Sequence, residues 1–306
     1  MHKAYLVETQ EREREACRRL VQMPFLSEGV FRRLGLQASF SWFVLELRKD
    51  RVVSGLRGDV DVLGGWLSWT DPGAFEALVS EERIGAGGGR HDSWNYQLAA
   101  LTLAHSGGIM WPPSTSHLVG LEAKCAYVDP HAPRISSKAL RSTKSSSGKV
   151  AKVRRQVESL LGMGLNEVAL LDIIANPPVS GPDGGAWISA LAMDTESTTA
   201  MASTLNGRLP AKCDAGHWVW SSGAVVGGYE FQRGAGCPQE LRPSGGNPRL
   251  ENSNAVGAIR QEVERSLRKI FSQFATPLVF PAVFVDCTDC GTVHELPWDG
   301  TACKVA

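Results

Sequence analysis

"LVGLEAKCAYV", residues 118–128, is an apolar run with a carboxylate and an ammonium lodged inside it, two positions apart. In an extended strand successive side chains point to opposite faces. Val119, Leu121, Ala123 and Cys125 then line one face, and Glu122 and Lys124 stand side by side on the other. One reading is a solvated face with a weak ion pair, worth about 1 kcal/mol at most. The other is a site where a metal ion, a carboxylate and a lysine act together on a phosphate. The rest of the chain has to decide between them.

The 306 residues suffice for one elaborated domain or two smaller ones. Lys plus Arg and Asp plus Glu number 32 each, so overall charge gives no sign of a nucleic-acid partner and any basic footprint must be local. No stretch near 18 apolar residues lacks charges, so no membrane span is expected. The opening "MHKAYLVETQEREREACRRL" becomes charged before a signal-peptide core can develop. A cytoplasmic location, with thiols or a metal site rather than disulfides among the 7 cysteines, is the resulting expectation.

Residues 3–22 read as a charged helix, 39–50 and 51–69 as extended segments, and 92–105 as a helix after the glycine-rich "GAGGGR". That glycine run lacks a following Lys-Ser/Thr and a preceding strand, so it is not a phosphate-binding loop. From about 148 to 161 apolar residues recur at helical spacing, with Gly162 or Gly164 to close the helix. "EVALLDIIAN" (167–176) reads as a buried strand, and "PPVSGPDGG" (177–185) as the clearest break. Beyond it come strand-like stretches at 185–194 and 217–232, mostly loop to 254, an amphipathic helix at 255–274 and a strand running into "CTDCG".

Helix, strand, strand, strand, helix, strand is therefore the order over residues 3–176, and polar residues fall on it in a pattern. Asp61 ends one strand in "GDVDVL", Glu122 and Lys124 sit in the next, and Gln156 lies on the following helix. This resembles the PD-(D/E)XK nuclease superfamily over roughly residues 1–178. The resemblance implies a restriction-endonuclease-like α/β core with a central mixed sheet flanked by helices. Residues 70–117 would be an insertion and 179–306 a C-terminal α+β extension. It also implies a Mg²⁺- or Mn²⁺-dependent deoxyribonuclease. Asp61 and Glu122 would be the metal carboxylates, the Ala123 carbonyl a further ligand, and Lys124 and Gln156 would orient water and phosphate. Lys124 would also share in proton removal were its pKa depressed. Asp59 lies two residues from Asp61 and competes for its role, or stands behind it as a supporting group. Glu13 or Glu15 would be the extra ligand some members carry.

The chemistry explains why such residues would gather. Phosphodiester cleavage needs charge neutralised on phosphate oxygens and an activated water. Mg²⁺ asks for one or two carboxylates and keeps several waters. Between Pro130 and Val157 lie Arg134, Lys138, Arg141, Lys144, Lys149, Lys152, Arg154 and Arg155, with no acidic residue. That patch suits a phosphate backbone. Trp66, Trp69, Trp94 and Trp111 are read as core rather than as base-stacking platforms.

In the second half, "CTDCG" (287–291) fits half of a structural zinc site. Cys213 and His217 in "CDAGH" are the expected other half, with Cys237, Cys303 and His294 as further candidates. The competing functional reading is a non-catalytic nucleic-acid- or protein-binding subunit that keeps the fold, or a zinc-stabilised interaction subunit in which the ExK is incidental. DNA is the expected partner. A helicase or other defence-system subunit, a homo-oligomer, and a setting in antiviral host defence or restriction are compatible by association alone.

Overall fold

The computed structural model describes residues 10–73, 76, 92–127, 146–175, 179–180, 186–187, 209–221 and 238–296. Its centre is one mixed sheet of 8 strands. In chain order they are β1 (Ser41–Arg48), β2 (Asp59–Trp66), β3 (Leu118–Tyr127), β4 (Glu167–Ala175), β5 (Gly216–Ser221), β6 (Gln239–Arg242), β7 (Ala282–Asp286) and β8 (Val293–Glu295). Across the sheet the order is β6-β5-β4-β3-β2-β1-β7-β8. β1, β2 and β3 form an antiparallel meander, and β4 joins β3 in parallel. That parallel step needs a crossover, which helix α4 (Ser146–Gly162) supplies.

Apolar alternation along these strands builds two cores. On one face α1 (Gln10–Gln22) and α2 (Pro24–Phe31) bury Cys17, Leu20, Val21, Leu26 and Phe31 against Phe43, Val119, Leu121 and Leu171. On the other, α3 (Asp92–His105), α4 and α5 (Asn254–Phe271) cover Trp42, Val44, Leu118 and Leu170. Of the described strands beyond 178, β5 and β6 extend the same sheet beyond β4 and β7 and β8 extend it beyond β1, while Val179–Ser180 and Ala186–Trp187 pair in a separate ribbon. Of the 70–117 segment, α3 and a short ribbon pairing Ser68–Trp69 with Ile109–Met110 are described. Trp66, Trp69 and Trp111 pack on the core, and Trp94 lies where side chains are not described. Among the described residues, no helix is long and apolar enough to cross a membrane.

Two details fix β3 in place. Gly164, not Gly162, takes the left-handed turn after α4 (φ +74°), and its Cα packs too close to Arg260 for a side chain. Arg260 itself is buried, donating from Nη1 to Gly164 O at 2.7 Å and from Nη2 to Thr115 O and Ser116 O at 2.8 Å. One guanidinium thus ties α5 to the turns that precede β4 and β3.

Close packing also leaves no room at Gly65, where an added Cβ would lie 2.5 Å from Trp42 Cζ2. The indole cannot yield, because it is fully buried and donates to Ser114 O at 2.9 Å. Gly65→Ala is expected to lower stability by about 1–3 kcal/mol through overpacking. A urea-unfolding comparison checks this, and an unchanged midpoint would contradict it.

Candidate active site

The β2–β3 ladder runs only from Val62–Gly65 against Leu118–Leu121. From Asp61 and Glu122 outward the strands part. Across this opening the Asp61 side chain replaces the missing backbone bond: Ala123 N–H donates to Asp61 Oδ2 at 2.6 Å. Asp61 stands near the start of β2, not at a strand end as its sequence context suggests.

Lys124 Nζ lies in the mouth of this fork. It is 2.7 Å from Glu122 Oε1, 3.7 Å from Asp61 Oδ2 and 3.7 Å from Glu13 Oε2, and it donates to the Ala123 carbonyl at 2.5 Å. The residues expected to hold a metal ion therefore surround one ammonium instead. Glu122 is wholly buried; its Oε1 is ion-paired to Lys124, and its Oε2 has no hydrogen-bond partner. Of the two N-terminal candidates Glu13 reaches the centre, and the Glu15 side chain lies outside the described residues. Asp59 is exposed, while its charge is felt by Asp61 and Glu46.

Burial sets the electrostatics. It pushes the Glu122 carboxyl up to about 7, with the Asp61 charge adding to the rise. Burial likewise raises Asp61, against the pull of Lys124. For Lys124 burial acts downward, but Asp61, Glu122 and Glu13 outweigh it and hold the ammonium above its usual range. In this arrangement the carboxylates act against the depressed ammonium that proton removal by Lys124 would need.

Two residues of the centre escaped the sequence reading. Glu46, in β1 opposite Asp61, is buried and paired with Arg14 of α1 at 3.1 Å, with Arg18 at 3.8 Å. Its backbone is left-handed (φ +56°), a conformation that costs a non-glycine residue about 1–2 kcal/mol. The strand alternation reverses there: Leu45 and Val62 face the α1 side, whereas Leu47 and Val60 face the α5 side. Lys49, just after β1, is also buried; burial lowers its ammonium against the attraction of Glu122 and Asp61. The signal for Glu46 was present, since a lone carboxylate inside "SWFVLELRK" is the same anomaly as Glu122 inside "LVGLEAKC".

Gln156 lies on α4 with Oε1 buried and unpartnered, and no described contact joins it to Lys124 or the carboxylates. Lys152, Arg154 and Arg155 are exposed on α4. Lys138, Arg141 and Lys144 fall outside the described residues, as does the Lys149 side chain.

The expected zinc set needs correction. His217 Nε2 is 2.7 Å from Asp172 Oδ2, both buried, on β5 and β4. Cys287 follows β7, five strands across from β5, about 24 Å at 4.8 Å per strand. Neither His217 nor Cys213, which packs beside the core just before β5, can share an ion with it. His294 of β8 completes the group instead: the ligand atoms of Cys287, Cys290 and His294 all lie within 4.8 Å of one another. Among the described residues this is the one such cluster of three.

The chain matches no family model, no curated protein and no solved structure. The geometry of the two centres is thus the whole basis for a functional reading.

Glu122 sets a pH signature. In chelator, stability is expected to fall as pH rises from 4.5 to about 7, because the folded state retains a proton the unfolded chain has released. The slope is at most about 1.4 kcal/mol per pH unit for one proton. Asp61 acts in the same direction, and Lys124 is protonated in both states throughout this window and adds no slope. Urea midpoints across this range should flatten in Glu122→Gln; an identical profile would refute the assignment.

Proposed function

We propose that this chain is a metal-dependent nuclease that hydrolyses phosphodiester bonds of DNA. The supporting observation is the position of Lys124 Nζ, which sits among Asp61, Glu122, Glu13 and the Ala123 carbonyl. Oxygen donors drawn around one cation are what a hard divalent ion requires. The donor set also fits on a second count: Oε2 of fully buried Glu122 lacks a hydrogen-bond partner. Asp61, Glu122 and the Ala123 carbonyl would hold Mg²⁺ or Mn²⁺. When bound, such an ion supplies charge neutralisation on the phosphate and an acidified water.

The protein's own groups take the remaining tasks. Lys124, kept protonated by its neighbours, donates to the attacking water or to a non-bridging phosphate oxygen as negative charge develops. Lys49 adds a second buried cation on the same acidic centre. Exposed Lys152, Arg154 and Arg155 on α4 offer sequence-independent phosphate contacts.

Plasmid and linear DNA incubated with the full chain should be cut with Mg²⁺ or Mn²⁺ and left intact with chelator. Glu122→Gln should reduce cleavage at least about 100-fold with the circular-dichroism spectrum retained. Lys124→Met should lose cleavage yet bind Mn²⁺ no more weakly than the parent, since it removes a competing cation. DNA binding without cleavage under all conditions would favour a non-catalytic binding subunit and defeat this proposal.

A further inference from the structure

We infer that Cys287, Cys290 and His294 bind a zinc ion that closes the knuckle between β7 and β8 at the sheet edge. Two thiols and an imidazole are the donor set zinc selects, and oxygen-seeking Mg²⁺ does not. The spacing C-x2-C-x3-H places the first pair on a tight knuckle and the imidazole on the returning strand β8. The knuckle is already shaped: Cys287 N–H donates to Thr292 O and Gly291 N–H to Cys287 O, each at 2.9 Å, with Gly291 left-handed at φ +69°.

The separation is close to what the ion needs. Cys290 Sγ and His294 Nε2 are 3.0 Å apart. Zinc at about 2.3 Å from sulfur and 2.1 Å from nitrogen spaces such a pair about 3.6 Å apart in a tetrahedron. A rotamer adjustment of about half an ångström suffices. On binding, Cys287 and Cys290 each lose a proton to solvent and ligate as thiolates. Thr292 Oγ1, now 3.0 Å from Cys290 Sγ and 2.8 Å from His294 Nε2, remains beside them as a supporting hydroxyl.

Arg51 joins this knuckle to the turn following β1. Its Nη2 donates to Gly291 O at 2.7 Å, and its guanidinium grips buried Asp286 through two 2.8 Å bonds. The knuckle therefore rests on the turn that carries Lys49. This inference stands whether or not the chain cleaves DNA.

The test is metal analysis of the full chain after dialysis, paired with Co²⁺ titration. About one zinc per chain is expected, with a near-ultraviolet thiolate-to-cobalt charge-transfer band on substitution. Cys290→Ser and His294→Ala, both only half-buried sites, should each abolish retention, whereas Glu122→Gln should leave it unchanged. Chelation should lower the thermal midpoint of the parent. A folded parent that retains no zinc and shows no cobalt band overturns the inference without recourse to any variant. So does full zinc retention in folded Cys290→Ser and His294→Ala, or loss of zinc in folded Glu122→Gln.

Discussion

One ammonium holds this fold's centre together. Glu122 is fully buried, Asp61 lies beside it, and an uncompensated carboxylate in such a place costs several kcal/mol. Lys124 answers both, and it can do so only because β2 and β3 separate at this point. Had the ladder continued, Ala123 N–H would face a carbonyl, not Asp61 Oδ2. The opening of the sheet and the gathering of charge are therefore one event. The apolar layers on either side and the Arg260 clamp keep the strands in the register that permits it.

Charge balance around the fork is close. Glu13, Glu46, Asp61 and Glu122 are met by Lys124, Lys49, Arg14 and Arg18. The presence of these cations has a consequence for an ion that enters. A divalent cation must compete with the ammonium for the same oxygens, so affinity reflects a difference between two cations and not the sum of the carboxylates.

Much of this was legible in the sequence, for identifiable reasons. The long helices α4 and α5 announced themselves by unbroken 3.6-residue spacing, and β4 by its continuous apolar run. The grouping of Asp61, Glu122 and Lys124 was legible because charge buried inside an apolar strand must find a partner. What stayed hidden depended on contacts distant in sequence. β6 and β8 are short edge strands of 4 and 3 residues whose pairing, not composition, defines them. Nothing local in the sequence reveals that the fold buries Lys49. The third residue beside the CxxC pair was misassigned because "CDAGH" offers ligand types at a plausible spacing, while sheet order, which decides distance, is invisible to spacing.

The left-handed backbone at Glu46 gains a rationale from the residues around it. Within six residues β1 and its turn must send Glu46 to α1, Leu47 into the α5 core, Arg48 and Arg51 to Asp286, and Lys49 toward the acidic fork. A regular strand gives residues 45 and 47 the same face. Here they face opposite cores, which requires the backbone to rotate between them, and Glu46 is where it does so. The strain of about 1–2 kcal/mol is set against two ion pairs to α1 and the burial of Leu47. Strain of this kind persists only where surroundings over-determine it, and here the same six residues join the acidic fork to the cysteine knuckle. A substitution at Glu46 would then act on both centres at once, although it touches neither Lys124 nor Cys287 directly.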